Sequence, residues 1–281
     1  MRNFHPVINT IIGLIRAAVY ANFWVAGAVW ALTLVSESVL QYSGPSFAVF
    51  NGGLTLIFYG FARFFEGPSD AEEISKITSW RKRMPQTTVL SMIIGAGIST
   101  LSLSSIGPHY ALVHYLIAGA IAMLYPLPRL FPKFGGGLRS IPGMKLFIIA
   151  VTWAYITAGI PAIISGNQFW PIFIERFFWT AALTIPFDIR DARIDSSDLK
   201  TLPHVFGPRN AAFFANAFLW ISFAFYPMVF GLDSGIMFLT FFFFATVLLL
   251  ANEKMGDLYF SLLIEGFPYL LLGIVWLLPY L

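Results

Sequence analysis

The sequence predicts an all-α, polytopic membrane protein of about nine transmembrane helices, and three observations carry that prediction. The first is polarity. Of 281 residues, 58% are hydrophobic and 11% charged, with a mean hydropathy of +0.75. A soluble domain carries roughly 25% charged residues, so too little polar surface remains to coat a globule in water. The second is length. A spanning helix needs about 20 mostly apolar residues, and apolar runs alternate with short polar breaks along the whole chain. The third is that the basic residues fall in every second break.

The expected spans are 8–36, 45–65, 87–105, 109–130, 145–164, 169–187, 210–230, 235–251 and 257–279. Turn and stop chemistry separates them: Ser43-Gly44-Pro45, Gly107-Pro108, Gly135-Gly136-Gly137, Gly166-Asn167 and Gly207-Pro208. The first run exceeds what a bilayer requires, which fits a strongly tilted helix or one that continues past the membrane. Residues Met1 to Pro6 lead into it without a small-residue cleavage site, so it reads as a span and not a signal peptide. Residues 1–281 read as a single transmembrane domain.

The break after the second span holds Lys76, Arg81, Lys82 and Arg83; the break after the fourth holds Arg129, Lys133, Arg139 and Lys145. The break after the sixth holds Arg190, Arg193, Lys200 and Arg209, and Lys254 follows the eighth. The breaks between these contain no Lys or Arg. The positive-inside rule then places the N-terminus and the basic loops in the cytoplasm and the C-terminus outside. Arg16, Glu175, Arg176 and Glu265 fall inside expected spans, where a charge is costly and is expected to pair with a neighbouring helix. The chain has no cysteine, which excludes disulfides and thiolate chemistry. It shows no Gly-rich nucleotide loop, nucleophile elbow, nucleic-acid signature or transporter-like internal repeat.

Chemistry concentrates at the end of the sixth span. Asp188, Asp191 and Asp195 are spaced three and four apart, which on a helix lines three carboxylates along one face. Aligned carboxylates repel unless cations lie between them, and hard cations such as Mg²⁺ commonly bridge carboxylates to substrate phosphates. Arg190, Arg193 and Lys200 lie close enough in sequence to hold phosphate oxygens. Pro186, just before the cluster, is expected to break the helix and open a polar recess. A solvated, mixed-charge helix end is the competing explanation of the same residues.

The run Asp-Ile-Arg-Asp-x3-Asp with Lys-Thr-Leu-Pro-x3-Gly, residues 188–207, resembles the second aspartate-rich motif of the UbiA superfamily of intramembrane prenyltransferases. Tyr125-Pro126-Leu127-Pro128-Arg129 resembles that family's Tyr-Pro-x-x-Lys/Arg segment. The resemblance implies nine helices around a central cavity and an isoprenyl diphosphate held through Mg²⁺ at the cytoplasmic face. It also implies a lipophilic acceptor that attacks the allylic cation inside the membrane. It assigns Asp188, Asp191 and Asp195 as metal and catalytic carboxylates. Tyr125, Arg129, Lys133, Arg139 and Lys200 become diphosphate-side residues, with Lys145 a further candidate. It implies a multi-pass protein of a bacterial cytoplasmic (inner) membrane, surrounded by membrane lipids, with no nucleic acid as partner.

The family's first motif, Asn-Asp-x2-Asp-x3-Asp, has no counterpart. The matching stretch runs from Tyr59 to Asp70, and Arg63 stands where an acidic face is expected. Three explanations stay open: Glu66 and Asp70 replace the lost pair, Arg63 neutralises the diphosphate directly, or the activity is lost or changed. Function divides accordingly. Prenyl transfer leads, with terpene cyclisation or a non-catalytic lipid-binding or assembly subunit as alternatives and a small transporter behind them.

Overall fold

The computed structural model describes residues 4–65, 79–80, 84–106, 110–124, 143–193, 200–230 and 234–277. All regular structure among them is helical: α1 (Phe4–Tyr20), α2 (Phe23–Val39), α3 (Ala48–Phe65), α4 (Pro85–Leu101), α5 (Tyr110–Leu124), α6 (Met144–Ser165), α7 (Phe169–Asp191), α8 (Leu202–Phe206), α9 (Pro208–Phe230), α10 (Ser234–Leu250) and α11 (Tyr259–Leu277), with a 3₁₀ turn at Leu103–Ile106. Nine of these correspond to the nine expected spans.

The first expected span is corrected. It is two helices, Thr10–Tyr20 and Phe23–Val39, bent by 68°. The break lies at Asn22, whose φ of 68° is left-handed, a conformation asparagine tolerates better than most residues. Arg16 lies on α1, on the N-terminal side of this bend, and is exposed.

Helices α2 to α4 pack in succession, as do α5 to α7; α7 packs on α9 and α9 on α10, and α11 returns to lie against α2. Trp24 Nε1 donates to the Leu262 carbonyl at 3.1 Å, and the Tyr269 hydroxyl donates to the Trp24 carbonyl at 2.8 Å. Outward faces are apolar: Leu90 and Ile93 on α4, Leu239 and Phe242 on α10, and Leu270 and Leu277 on α11 are exposed. Apolar surface of this extent on a closed helical bundle is the surface that lipid covers. The protein is a multi-pass membrane protein.

The run Phe241 to Phe244 is expected to meet lipid mostly. It splits evenly instead, with Phe241 and Phe244 fully buried and Phe242 and Phe243 exposed. The buried pair closes on Trp179 of α7, both ring pairs at 5.3 Å, and Phe244 stacks on Phe267 of α11 at 4.0 Å. Helix association in lipid depends on such packing, since lipid tails are as apolar as the side chains.

Two spans contain a wider π-turn, at Tyr155–Gly159 in α6 and Tyr259–Ile264 in α11. In each, a carbonyl accepts from a neighbouring helix: Ile156 from Asn51 Nδ2 at 2.9 Å, and Leu262 from Trp24. A π-turn frees backbone groups that a plain α-helix would pair internally.

Buried polar groups tie the interior together. Glu175 and Arg176 are both fully buried. They were expected to pair with neighbouring helices, and they also touch each other at 3.4 Å. Glu175 accepts from Ser222 of α9 at 2.9 Å, and Arg176 donates to the Leu32 carbonyl of α2 at 2.9 Å. Asn51 also donates to Thr33 at 3.0 Å. At the end away from the basic loops, Glu37 accepts from Ser46 and from the Phe47 amide, at 2.8 and 2.6 Å, and so fixes the entry to α3.

Candidate functional site

The site is built on the last turn of α7. Its 23 residues make a helix about 34 Å long, enough to carry a residue from one membrane face to the other. The expected break at Pro186 does not occur. The helix runs through it to Asp191, and the only local backbone bond that proline forfeits is the one to the Ala182 carbonyl. The α-helix itself ends at Asp191. Ala192 and Arg193 already form a turn, and Asp195 lies outside the described residues.

Asp188 and Asp191 are one turn apart, and each meets a cation. Lys145 Nζ, from the start of α6, lies 2.7 Å from Asp188 Oδ1, and Asp188 is only 3% exposed. Arg190 grips its neighbour Asp191 with both arms of the guanidinium, Nε to Oδ1 at 2.7 Å and a terminal amino group to Oδ2 at 2.9 Å. The other amino group donates to Ser261 Oγ in the second π-turn at 3.2 Å. The same guanidinium lies over the rings of Phe187 and Phe260, at 5.1 and 5.9 Å. Arg193 pairs with Glu253, in the loop that follows α10.

The Lys-Thr-Leu-Pro-x3-Gly half of the motif forms a short return against this end. Lys200 is exposed and has a φ of 41°. Thr201 and His204 form a chain of bonds to α7, Thr201 Oγ1 to His204 Nδ1 and His204 Nε2 to the Ala192 carbonyl, both 2.9 Å. A carbonyl only accepts, so Nε2 carries the proton and Nδ1 accepts from the threonine. Gly207 ends α8 with φ of 81°, a backbone that a Cβ would strain.

Arg63 lies on the last turn of α3. Glu66, Asp70, Tyr125, Arg129, Lys133 and Arg139 lie outside the described residues, with Asp195. The structure thus places Lys145 and Arg190, both expected against phosphate, on two of the assigned carboxylates, and adds Ser261 and the Thr201–His204 chain. Lys145 was legible as the basic residue nearest the fifth apolar run. Ser261 carries no sequence signal, because it reaches the site only through the π-turn. His114, at the other end, bonds the Tyr155 hydroxyl at 2.6 Å and belongs to helix packing.

No family model and no curated protein matches the sequence. Solved structures do match. A UbiA homologue from Archaeoglobus fulgidus bound to GPP and Mg²⁺ is 15% identical, with a TM-score of 0.54 over 93% of this chain and 100% of its own. A UbiA homologue from the same organism bound to DMAPP and Mg²⁺ is 15% identical, with a TM-score of 0.51 over 95% of this chain and 98% of its own.

The chain has the UbiA fold.

Within the UbiA fold, the fit of a divalent cation is decided by the donors of this chain. Among the described residues, no group of three or more metal-ligating side chains is gathered. Asp188 and Asp191 supply hard oxygen donors one turn apart, and each already holds a positive charge at 2.7 Å. Mg²⁺ is often bound by one or two protein carboxylates plus substrate phosphates. The pair fits that half of a metal–diphosphate site.

Proposed function

We propose that this protein is an intramembrane enzyme of the UbiA type that binds an isoprenyl diphosphate with Mg²⁺ and transfers the prenyl group to a lipophilic acceptor. The observation that carries the reading is the pair Asp188 and Asp191 at one membrane face, each already compensated by a cation, on a fold shared with homologues bound to GPP and DMAPP. The positive-inside rule puts that face in the cytoplasm of a bacterial cell, with the C-terminus outside.

In this reading Asp188, Asp191 and Asp195 would hold the metal, which would supply charge neutralisation for the departing diphosphate. Lys200 and Arg63 contact phosphate oxygens. Tyr125, Arg129, Lys133 and Arg139, from the segment between α5 and α6, join them. Arg63 replaces the missing first carboxylate motif by direct charge neutralisation, a task suited to a planar, permanently charged guanidinium. The bond from prenyl C1 to the bridging oxygen breaks and its electron pair leaves with the diphosphate. The acceptor supplies the pair for the new bond to C1 and then loses a proton. Surrounding helices exclude water, which would otherwise capture the cation.

The deciding experiment is a titration of purified full-length protein with geranyl and farnesyl diphosphate, with and without Mg²⁺, in wild type and Asp191→Ala. Mg²⁺-dependent binding that the variant loses is the expected result. Its absence in the wild type would sink the proposal. Release of diphosphate without any acceptor would redirect it to cyclisation by the prenyl chain's own alkene.

A further inference from the structure

The two carboxylates hold their cations in different ways. Asp191 is gripped by the adjacent Arg190, which is further fixed by Ser261 and two aromatic rings. Asp188 meets a lysine from another helix. Lys145 is 18% exposed while its carboxylate partner is 3% exposed, so the ammonium reaches the buried acid from the solvent side. A buried carboxylate stripped of its cation is strongly unfavourable, so a positive charge beside Asp188 stabilises the ionised carboxylate. A lysine ammonium is a compact charge on a flexible stem and keeps an affinity for water. It is the kind of counter-ion that leaves easily.

We propose that Lys145 is an exchangeable counter-ion. It neutralises Asp188 while no divalent cation is bound, competes with that cation for the carboxylate, and on release becomes a positive charge facing the anionic ligand. The identity of the anion as a diphosphate rests on the proposed function; the competition for Asp188 does not. Lys145 is a positioning residue in this account, since its first partner is the carboxylate and not the substrate.

The test uses full-length protein in detergent micelles and Mg²⁺ alone, read by the thermal unfolding midpoint across a Mg²⁺ titration. Lys145→Met is expected to unfold at lower temperature without Mg²⁺ and to recover as Mg²⁺ is added. Its half-maximal Mg²⁺ concentration is expected about tenfold below wild type, because the competitor is gone. Lys145→Arg should move that concentration upward, because a guanidinium holds a carboxylate with a paired grip. In the Asp188→Asn background, Lys145→Met should no longer shift it. Mg²⁺ curves for Lys145→Met and Lys145→Arg that superimpose on wild type would overturn the proposal. If Lys145→Met does not fold, an unshifted Lys145→Arg curve overturns it alone. Variant shifts of this kind, with a wild type that binds no prenyl diphosphate, would remove the proposed function and leave the exchange standing.

Discussion

Arg176 of α7 donates to the carbonyl of Leu32, a residue 144 positions earlier in α2, at 2.9 Å. The bond closes a loop of buried charge that takes in Glu175, Ser222 and Thr157 and therefore fastens α2, α6, α7 and α9 to one another.

Replacing Arg176 by Met leaves Glu175 buried without its cation, with a cost of about 3–5 kcal/mol. The expected outcome is a large fall in the unfolding midpoint in detergent. The double variant Arg176→Met with Glu175→Gln should recover much of the loss, because the second change removes the stranded charge. A double variant as unstable as the single one would show that the helices need the guanidinium bonds themselves.

The crossing of α3 and α4 depends on two glycines. A Cβ on Gly95 would come within 2.6 Å of the Gly53 carbonyl oxygen, and one on Gly53 would reach 2.5 Å from Ser99 Oγ. Gly95→Ala should force the helices apart and cost about 1–3 kcal/mol, measurable as a lower thermal midpoint. Gly97 on the same helix has nothing within 4 Å of such a Cβ, so Gly97→Ala is the matched control.

His204 joins the 200–206 return to the end of α7 through Thr201 and the Ala192 carbonyl. His204→Ala should weaken prenyl diphosphate binding about tenfold while leaving the thermal midpoint nearly unchanged, as expected when a side chain acts by positioning its neighbours. His204→Gln, which keeps a donor and an acceptor, should recover part of the affinity. Equal losses in both would mean that the imidazole touches the ligand directly.

Arg190→Ala removes both the fork on Asp191 and the bond to Ser261. Ser261→Ala removes only the second. The expected order of effect on Mg²⁺-dependent binding is a large loss for Arg190→Ala and a change of about twofold to fivefold for Ser261→Ala. A reversed order would place the binding determinant in α11 and not at the end of α7.

Much of this architecture is legible in the sequence, because lipid imposes a strict rule. A segment that crosses must be apolar, and its backbone must be satisfied internally. Eight of the nine span positions follow from that rule alone, and basic residues in alternate breaks predict an orientation. The first span misleads for a physical reason. Residues 8–36 are mostly apolar, and a bend needs only one left-handed residue, Asn22, which hydropathy does not register. Pro186 misleads in the opposite sense: tertiary packing holds α7 together across a residue that usually interrupts a helix. At the site, Asp188 and Asp191 were visible as a motif. Lys145 and Arg190 were visible as basic candidates for phosphate, but their pairing with these carboxylates was not, since Lys145 reaches Asp188 from 43 positions away by a route that spacing does not encode.

The two π-turns have a consequence for kinship. A π-turn takes up one residue more than the α-turn it replaces, so a stripe read at a period of 3.6 from Met144 points elsewhere after Gly159, and one read from Leu277 fails before Ile264. A relative whose fifth or ninth span is a plain α-helix can be matched to this chain only across a single-residue gap. That gap falls in apolar segments where few letters mark the register. Shape survives such an insertion while letter-by-letter agreement does not, so descent in this fold is better traced through the helix ends than through the apolar spans.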